Sequence, residues 1–170
     1  MGPTMISYTT MDSPVGPLLL AGDGRGLLRV SFAAISKGGG KTEQFPKDGW
    51  TKDAAPFMEM IRQLRAYFSG RLKEFDVPIV LLGTEFQVRV WQGLRSIPYG
   101  ETISYLELAK RIGNAKAVRA VGLANGANPI PIIVPCHRVI GSNGSLTGFG
   151  GGLVNKAKLL ALESRQLALL

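Results

Sequence analysis

The chain is organised around the stretch Ile132-Ile133-Val134-Pro135-Cys136-His137-Arg138-Val139-Ile140. This stretch holds the only cysteine and the only histidine of the 170 residues, side by side in an apolar, β-branched run that favours a buried strand. A thiol nucleophile and a base that titrates near neutral pH are therefore neighbours. Taken alone, the pair fits two inert core residues equally well, because a free cysteine is commonly buried.

A regular strand would keep these two side chains apart, since successive side chains point to opposite faces. If Cys136 and His137 act together, either the backbone leaves the strand at the cysteine or a water molecule links the two groups. Pro135 favours the first alternative, because it lacks an N–H group and fixes its own φ, which interrupts a strand ladder.

The composition excludes several kinds of site. One cysteine excludes an internal disulfide, and one cysteine with one histidine excludes a zinc site built from these residue types, so we expect neither metal nor cofactor. No apolar run approaches the roughly 20 residues that span a bilayer. No secretory signal pattern opens the chain, and we expect a cytoplasmic protein.

The positive charge lies mainly in the half that contains the cysteine. The net charge is +8, with +2 in residues 1–83 and +6 in residues 84–170. Such an excess indicates a polyanionic partner, and a solvated basic surface is the alternative.

The first half predicts a small sheet covered by a helix. Short apolar runs at residues 6–9, 18–21 and 27–32, separated by Pro- and Gly-rich turn clusters, predict three antiparallel strands. Residues 36–52 have no period and predict a mobile loop, and apolar residues at three- and four-residue steps then predict a helix from Asp53 to Gly70. The composition changes near residue 83, so we place a domain boundary there, giving domains 1–83 and 84–170.

The second half opens with capped helices. Thr84 with Gln87 and Ser104 with Glu107 have the spacing of capping boxes, and Asn114 is predicted to cap a third, basic helix. Two short helices joined by a tight turn, the second of them basic, predict a helix-turn-helix for DNA binding. An ordinary helical hairpin is the alternative.

The segment after the cysteine predicts a hairpin. Asn143-Gly144 is a strong turn signal between residues 138–140 and 145–147, and a hairpin that follows a helix-turn-helix is a wing. A last helix is predicted over residues 155–168 and carries Glu163.

Several motifs together resemble the O6-alkylguanine-DNA alkyltransferase family, also called the methylated-DNA–protein-cysteine methyltransferases. They span nearly all of residues 84–170, whereas residues 1–83 resemble the family mainly in architecture; the motifs are Pro98-Tyr99-Gly100-Glu101-Thr102-Ile103-Ser104-Tyr105, Ala117-Val118-Arg119-Ala120-Val121-Gly122, Asn128-Pro129, Pro135-Cys136-His137-Arg138, Gly148-Phe149-Gly150-Gly151-Gly152 and Leu159-Leu160-Ala161-Leu162-Glu163. The resemblance implies an α+β protein, with a small antiparallel sheet and helix of ribonuclease H-like type followed by a winged helix-turn-helix domain.

The resemblance also implies a reaction. The thiolate of Cys136 attacks the alkyl carbon on O6 of a damaged guanine, or on O4 of an alkylated thymine, and keeps the alkyl group. A thioether has a very poor leaving group, so each protein molecule reacts once. In the family, a histidine acting through water and a glutamate that orients it assist the ionisation of the thiol; these correspond to His137 and Glu163. Tyr105 corresponds to the proton donor for the leaving guanine.

The remaining family positions concern substrate binding. Guanine O6 lies inside the duplex stack, so the nucleotide must be flipped out, and Arg119 corresponds to the residue that fills its place. The other positions hold the turn after the recognition helix (Asn128), wall the pocket (Pro131 and Phe149), or offer backbone groups to the base (Cys136, Val139 and Gly150). Where some relatives have Tyr and Ser after the wing, this chain has Phe149 and Gly150, which leaves open how bulky an alkyl group fits.

We therefore expect the partner to be double-stranded DNA that carries alkylated bases, bound with little sequence preference. We expect the protein to be monomeric in solution and able to bind cooperatively on DNA. Three alternatives remain. An alkyltransferase-like protein would grip alkylated DNA without repairing it, although such relatives lack the cysteine. A transcription regulator would bind one sequence specifically, and a Cys-His hydrolase would turn over repeatedly.

Overall fold

The computed structural model describes residues 5–32, 45–147 and 149–168, and it divides the chain into two compact units, residues 1–80 and 81–170. The division lies close to the boundary expected at residue 83. The predicted α+β class is confirmed, with a small sheet in the first unit and mainly helices in the second. In the described part of the chain, no helix combines the length and the apolar character that crossing a bilayer requires.

The first unit contains a four-stranded sheet. Three strands, β1 (Ser7–Met11), β2 (Leu18–Asp23) and β3 (Gly26–Phe32), are antiparallel as predicted, and the sheet order is β3-β2-β1-β4. The fourth strand, β4 (Thr51–Lys52), pairs in parallel with β1.

The fourth strand corrects the prediction of a loop up to residue 52. The N–H of Thr51 donates to the carbonyl of Ile6, and the N–H of Asp53 donates to the carbonyl of Tyr8, both at 2.9 Å. The outer edge of β1 offers these carbonyls, and the sequence of residues 51–52 shows no period that would reveal the pairing. The part of the predicted loop from 36 to 44 lies outside the described residues.

One helix completes the first unit. It is α1 (Met58–Phe68), preceded by a 3₁₀ turn at Ala55–Phe57, and it buries Met60, Ile61, Leu64 and Tyr67 at the predicted spacing. The side chain of Gln63, also on the buried side, donates to the carbonyl of Asp76 and accepts from its N–H, at 3.0 and 2.9 Å. These bonds fix the chain that follows the helix.

Three helices precede the cysteine in the second unit. The helix α2 (Glu85–Leu94) begins with the complete capping box predicted at Thr84 and Gln87, and the indole N–H of Trp91 donates to the carbonyl of Ala124 at 2.8 Å. The helix α3 (Tyr105–Arg111) is capped by the hydroxyl of Ser104. The third helix is α4 (Val118–Gly126).

The predicted cap of α4 is wrong. Its N-cap residue is Ala117, which has no capping side chain, and Asn114 lies outside the helix. The backbone of Asn114 belongs to the turn that ends α3, because its N–H donates to the carbonyl of Ala109 at 2.9 Å while its carbonyl accepts from Ala117 at 3.0 Å.

The predicted two-stranded wing is also corrected. Residues Val139–Ile140 form a strand, β6, but it pairs in parallel with β5 (Ile103–Ser104) rather than with residues 145–147. The Asn143-Gly144 turn is present, since the N–H of Gly141 donates to the carbonyl of Ser145 at 2.9 Å, yet the described residues after it contain no strand. The last helix, α5 (Leu153–Ala168), follows.

Candidate active site

The backbone turns sharply at the cysteine. Pro135 has φ −82° and ψ 65°, close to an inverse γ-turn, and the N–H of Cys136 donates to the carbonyl of Val134 at 2.8 Å. A 3₁₀ turn then runs over Cys136–Arg138 and is closed by the bond from the Arg138 N–H to the Pro135 carbonyl at 3.0 Å. Of the two alternatives from the sequence, the backbone takes the first and leaves the extended path.

The loop between α4 and this turn is held by a side-chain amide. Asn128 donates from Nδ2 to the carbonyl of Val134 at 2.8 Å and accepts at Oδ1 from the N–H of Ile130 at 3.0 Å. Within the loop, Ile132 has φ 76°, a left-handed conformation that is a genuine outlier for a β-branched residue. Such a residue costs about 1–3 kcal/mol and persists only where its surroundings enforce it. These contacts fix the path of the chain into the turn over residues 135–138, which we call the nucleophile turn.

The thiol of Cys136 is protonated in the isolated protein. Cys136 is 4% exposed, and burial raises the pKa of its thiol to about 11, against the opposing effects of a hydrogen bond from Asn128 and the charge of Lys156. At neutral pH such a thiol is ionised in only about one molecule in 10⁴. The thiolate must therefore be generated during the reaction by a group that takes the proton.

His137 can take that proton. Its side chain is fully buried, and Nε2 lies 2.6 Å from Oε2 of Glu163. A carboxylate only accepts, so Nε2 carries the hydrogen and Nδ1 keeps a lone pair. This Nδ1 is buried and has no hydrogen-bond partner in the described part of the chain. Burial lowers the pKa of His137 in spite of the Glu163 hydrogen bond, so the imidazole is neutral and ready to accept.

Glu163 is the anchor of this cluster. Its two oxygens accept from His137, from Nε and Nη2 of Arg138 at 2.8 and 3.1 Å, and from the N–H of Gly100 at 3.1 Å. Burial opposes ionisation of the carboxyl, but the hydrogen bonds and charges of His137 and Arg138 outweigh it and hold the pKa of Glu163 well below its usual range. Glu163 is thus an anion that orients His137.

Two residues that sequence reasoning missed complete the cluster. Arg138 makes a bidentate pair with Glu163 and also donates from Nη1 to the carbonyl of Ile97 at 2.7 Å. Lys156 is fully buried and donates from Nζ to the carbonyls of Val139 and Thr147, at 2.6 and 2.7 Å. A signal for Lys156 existed, because it shares the helical spacing of Leu159 and Glu163 and so belongs to the buried face of α5.

Tyr105 lies at the edge of the site. It is half-buried at the start of α3, and its hydroxyl donates to the carbonyl of Thr147 at 3.0 Å, the same oxygen that accepts from Lys156. Its ring lies beside α4, since a Cβ on Gly122 would approach the ring to 3.9 Å. The tyrosine therefore joins α3, α4 and the segment after the turn.

The predicted site residues fall into two groups. Cys136, His137 and Glu163 form one contiguous buried cluster, and Val139 and Tyr105 reach it through the carbonyls that Lys156 binds. Arg119 is exposed on α4, and its side chain makes no hydrogen bond or ion pair within the described residues. Pro131 and Phe149 are buried and Gly150 is exposed, and nothing in their geometry tests their predicted contacts with a base.

The comparisons with known proteins cover both units. The family model described as "6-O-methylguanine DNA methyltransferase, DNA binding domain" matches residues 85–165. The model of the ribonuclease-like domain of the same family matches residues 6–81. The methylated-DNA–protein-cysteine methyltransferase of Methanosarcina acetivorans is 57% identical over 92% of this chain and 97% of that protein.

Solved structures agree with the sequence comparisons. The crystal structure of Mycobacterium tuberculosis O6-methylguanine methyltransferase has a TM-score of 0.86 and 51% identity, covering 97% of this chain and 99% of the other. The structure of Mycobacterium tuberculosis OGT in complex with DNA has a TM-score of 0.84 and 53% identity, covering 94% of each chain.

Proposed function

The chain belongs to the 6-O-methylguanine DNA methyltransferase family, and from that membership we propose that it repairs alkylated DNA by transferring the alkyl group from O6 of guanine to Cys136. The observation that carries the proposal is the cluster itself: the only thiol of the chain adjoins a neutral histidine whose tautomer is fixed by a buried carboxylate. This arrangement is the one that activates a nucleophile, with base and orienting group in series.

The reaction exchanges one bond for another. Although the backbone leaves the extended path at Cys136, successive side chains of a 3₁₀ turn still point about 120° apart, so the Cys136 proton passes to Nδ1 of His137 through a water molecule. The sulfur then attacks the alkyl carbon in line, the C–S bond forms and the C–O6 bond breaks, and the electron pair stays on guanine. The hydroxyl of Tyr105 protonates the guanine, and the proton that His137 took from Cys136 replaces the one that the tyrosine gave, so the site returns to its starting protonation state.

The base reaches the sulfur outside the duplex. A duplex stack covers O6, so the damaged nucleotide is flipped into the pocket, and Arg119, exposed on α4 with no partner in the described residues, fills the gap. Pro131 and Phe149 wall the pocket, and the carbonyls of Cys136 and Val139 accept from the exocyclic amine. Asn128 holds the turn, and the N–H of Gly150 meets O6. The same attack on O4 of an alkylated thymine is part of the proposal.

Intact mass spectrometry tests the transfer. Protein incubated with an O6-methylguanine duplex should become heavier by one CH₂ unit, located on the Cys136 peptide, with one equivalent consumed per chain. The variant Cys136→Ser should gain no mass and still bind the duplex. An unchanged mass of the wild type with retained binding would indicate an alkyltransferase-like binding protein, and several product equivalents per chain would indicate a hydrolase.

A further inference from the structure

A groove on the helix of the first unit carries more positive charge than its own residues compensate. This groove, which we call the α1 groove, encloses about 470 Å³, and its lining consists of Met58, Glu59, Ile61, Arg62, Arg65 and Arg71. Three of these six residues are arginines and one is a glutamate, so positive charge is in excess. Such an excess indicates an anionic partner.

The single carboxylate of the groove neutralises only one of the arginines. The oxygens of Glu59 accept from Nε and Nη2 of Arg62, the first at 2.8 Å. The side chain of Arg65 makes no hydrogen bond or ion pair with any described residue. Among the same residues, Arg71 uses only Nε, which donates to the hydroxyl of Ser69 at 2.9 Å. Two guanidinium groups therefore have donors available for a ligand.

The turn that ends α1 determines the position of Arg71. Gly70 has φ 78°, and the N–H groups of Gly70 and Arg71 donate to the carbonyls of Tyr67 and Ala66, at 3.0 and 2.8 Å, which is the pattern of a Schellman motif. The residue at the position of Arg71 in this motif frequently makes an apolar contact with the helix. Here it is an exposed arginine, and its charge lies at the groove.

The α1 groove also has an apolar part. Met58 is 60% exposed, and the buried Ile61 lines the same groove. Flexible methionine side chains are typical of surfaces that bind other proteins. Met58 and Arg65 are seven residues apart on one helix, a distance of about 10 Å, which about three residues of an extended peptide span. A duplex backbone would use the arginines alone, whereas a peptide with acidic and apolar residues uses both parts.

We propose that the α1 groove binds a short acidic segment of a partner protein, with carboxylates paired to Arg65 and Arg71 and one apolar side chain against Met58. The planar guanidinium presents two parallel N–H groups to a carboxylate, and such charge-assisted pairs are the strong hydrogen bonds of an exposed surface. None of the lining residues takes part in the proposed alkyl transfer, so the inference does not rest on that function.

The alternative is that the arginines only stabilise the carbonyl end of α1. Positive side chains are favourable there, and Arg65 lies in the last turn of the helix. Two variants separate the roles: the double variant Arg65→Gln with Arg71→Gln removes the charges, and Met58→Ser removes the apolar contact at the other end of the groove. The control Arg95→Gln removes one exposed positive charge at the end of α2, in the second unit.

Selection of a random peptide library on the full chain tests the proposal. An excess of unmodified duplex DNA is present throughout, so that peptides cannot collect on a surface that binds DNA. We expect the enriched peptides to carry aspartate or glutamate beside one apolar residue. By fluorescence anisotropy, they should bind the double variant at least about tenfold more weakly than wild type, and Met58→Ser about threefold more weakly. Arg95→Gln should bind them with wild-type affinity.

Three results would overturn the proposal: no enrichment, enriched peptides without acidic residues, or peptides that bind the double variant as tightly as wild type. A double variant that loses affinity for the duplex, with a smaller salt slope, but keeps its affinity for the peptides would make the groove a phosphate contact instead. If the double variant does not fold, as judged by circular dichroism, each single substitution is measured in its place. These measurements do not involve Cys136, so a failure of alkyl transfer in the mass test leaves them unchanged.

Discussion

At the scale of single residues, Glu163 affects three other residues of the site at once. One carboxylate fixes the tautomer of His137, neutralises Arg138 and holds the backbone of Gly100. Removing its charge therefore changes the acid–base chemistry of the histidine and leaves a buried guanidinium uncompensated. These two effects can be measured separately.

The variant Glu163→Gln should lose activity and stability together. An amide can donate to Nε2 and so favours the tautomer with hydrogen on Nδ1, which is unable to accept the Cys136 proton. We expect the single-turnover transfer rate to fall by about 10²–10⁴, the range for general base catalysis, and the free energy of unfolding in urea to fall by about 3–5 kcal/mol.

The control for this variant is Glu107→Gln. Glu107 forms an exposed pair with Arg111 on α3, and such surface pairs contribute about 0–1 kcal/mol. It should retain the transfer rate of the wild type. A Glu163→Gln protein that transfers at the wild-type rate would show that the carboxylate has no part in activating the thiol.

Arg119 offers a test of base flipping that uses salt. A side chain that contacts a phosphate contributes about −0.9 to the slope of log affinity against log salt, whereas a side chain inserted in the base stack contributes little. For Arg119→Ala we expect a nearly unchanged slope and a slower transfer rate, measured by fluorescence anisotropy and by mass. A slope smaller in magnitude by about one unit, with an unchanged rate on bound duplex, would make Arg119 a phosphate contact.

At the scale of elements, local signals were sufficient where the partner is local. The caps at Thr84 and Ser104 and the apolar spacing of α1 were predictable, because each involves residues three or four positions apart. The pairing of β6 with β5 was not, since Val139 meets Ile103 across a long stretch of chain. The Asn143-Gly144 pair predicts a hairpin, but the carbonyl of Thr147 accepts from Tyr105 and Lys156 instead of from a partner strand.

The candidate site shows the same limit. The adjacency of Cys136 and His137 was visible in the sequence, but their relation to Glu163 depended on the family resemblance, and Arg138 and Lys156 were missed. Helical spacing indicates that Lys156 lies on the buried face of α5, but the role of either charge follows only from the partners that the structure places beside it. Their roles depend on contacts between the nucleophile turn and α5, which no local pattern encodes.

One serine and one asparagine, Ser104 and Asn114, test where the helices α3 and α4 begin. Ser104→Ala removes the hydroxyl that accepts from the Glu107 N–H at 3.0 Å, and we expect it to lower the free energy of unfolding by about 1 kcal/mol. Asn114→Ala should change it by less than about 0.5 kcal/mol, because Asn114 caps no helix. Urea titration of both variants measures the difference, and equal losses would restore Asn114 as a cap.

At the scale of the whole molecule, the buried Cys136 thiol makes the free energy of unfolding depend on pH in the alkaline range. Burial raises the pKa of Cys136 from 9.0 to about 11, so the folded state favours the neutral thiol. A raised pKa contributes stability that is fully present below the unfolded value and is lost as the pH rises towards the folded value. The expected window is therefore between 9.0 and about 11.

The variant Cys136→Ser should remove that dependence. The difference in free energy of unfolding between wild type and variant should be constant below the window and fall within it by up to about 1.4 kcal/mol per pH unit, as followed by urea titration. Groups whose titration does not depend on Cys136 contribute equally to both proteins and cancel in the difference. A difference that stays constant up to pH 11 would mean that the folded protein does not suppress ionisation of the thiol.

Under the proposed single-turnover reaction, the buried and protonated state of the Cys136 thiol also protects the unreacted protein. A cell contains many electrophiles and oxidants, and a thiol that was ionised at rest would be spent on them before any lesion arrived. A thiol that is protonated at rest reacts slowly with such compounds, so unreacted chains remain available for the proposed transfer. Because Cys136 is the only cysteine of the sequence, the proposed thioether would form at one position, and the fraction of chains that carry it would count the alkyl groups transferred.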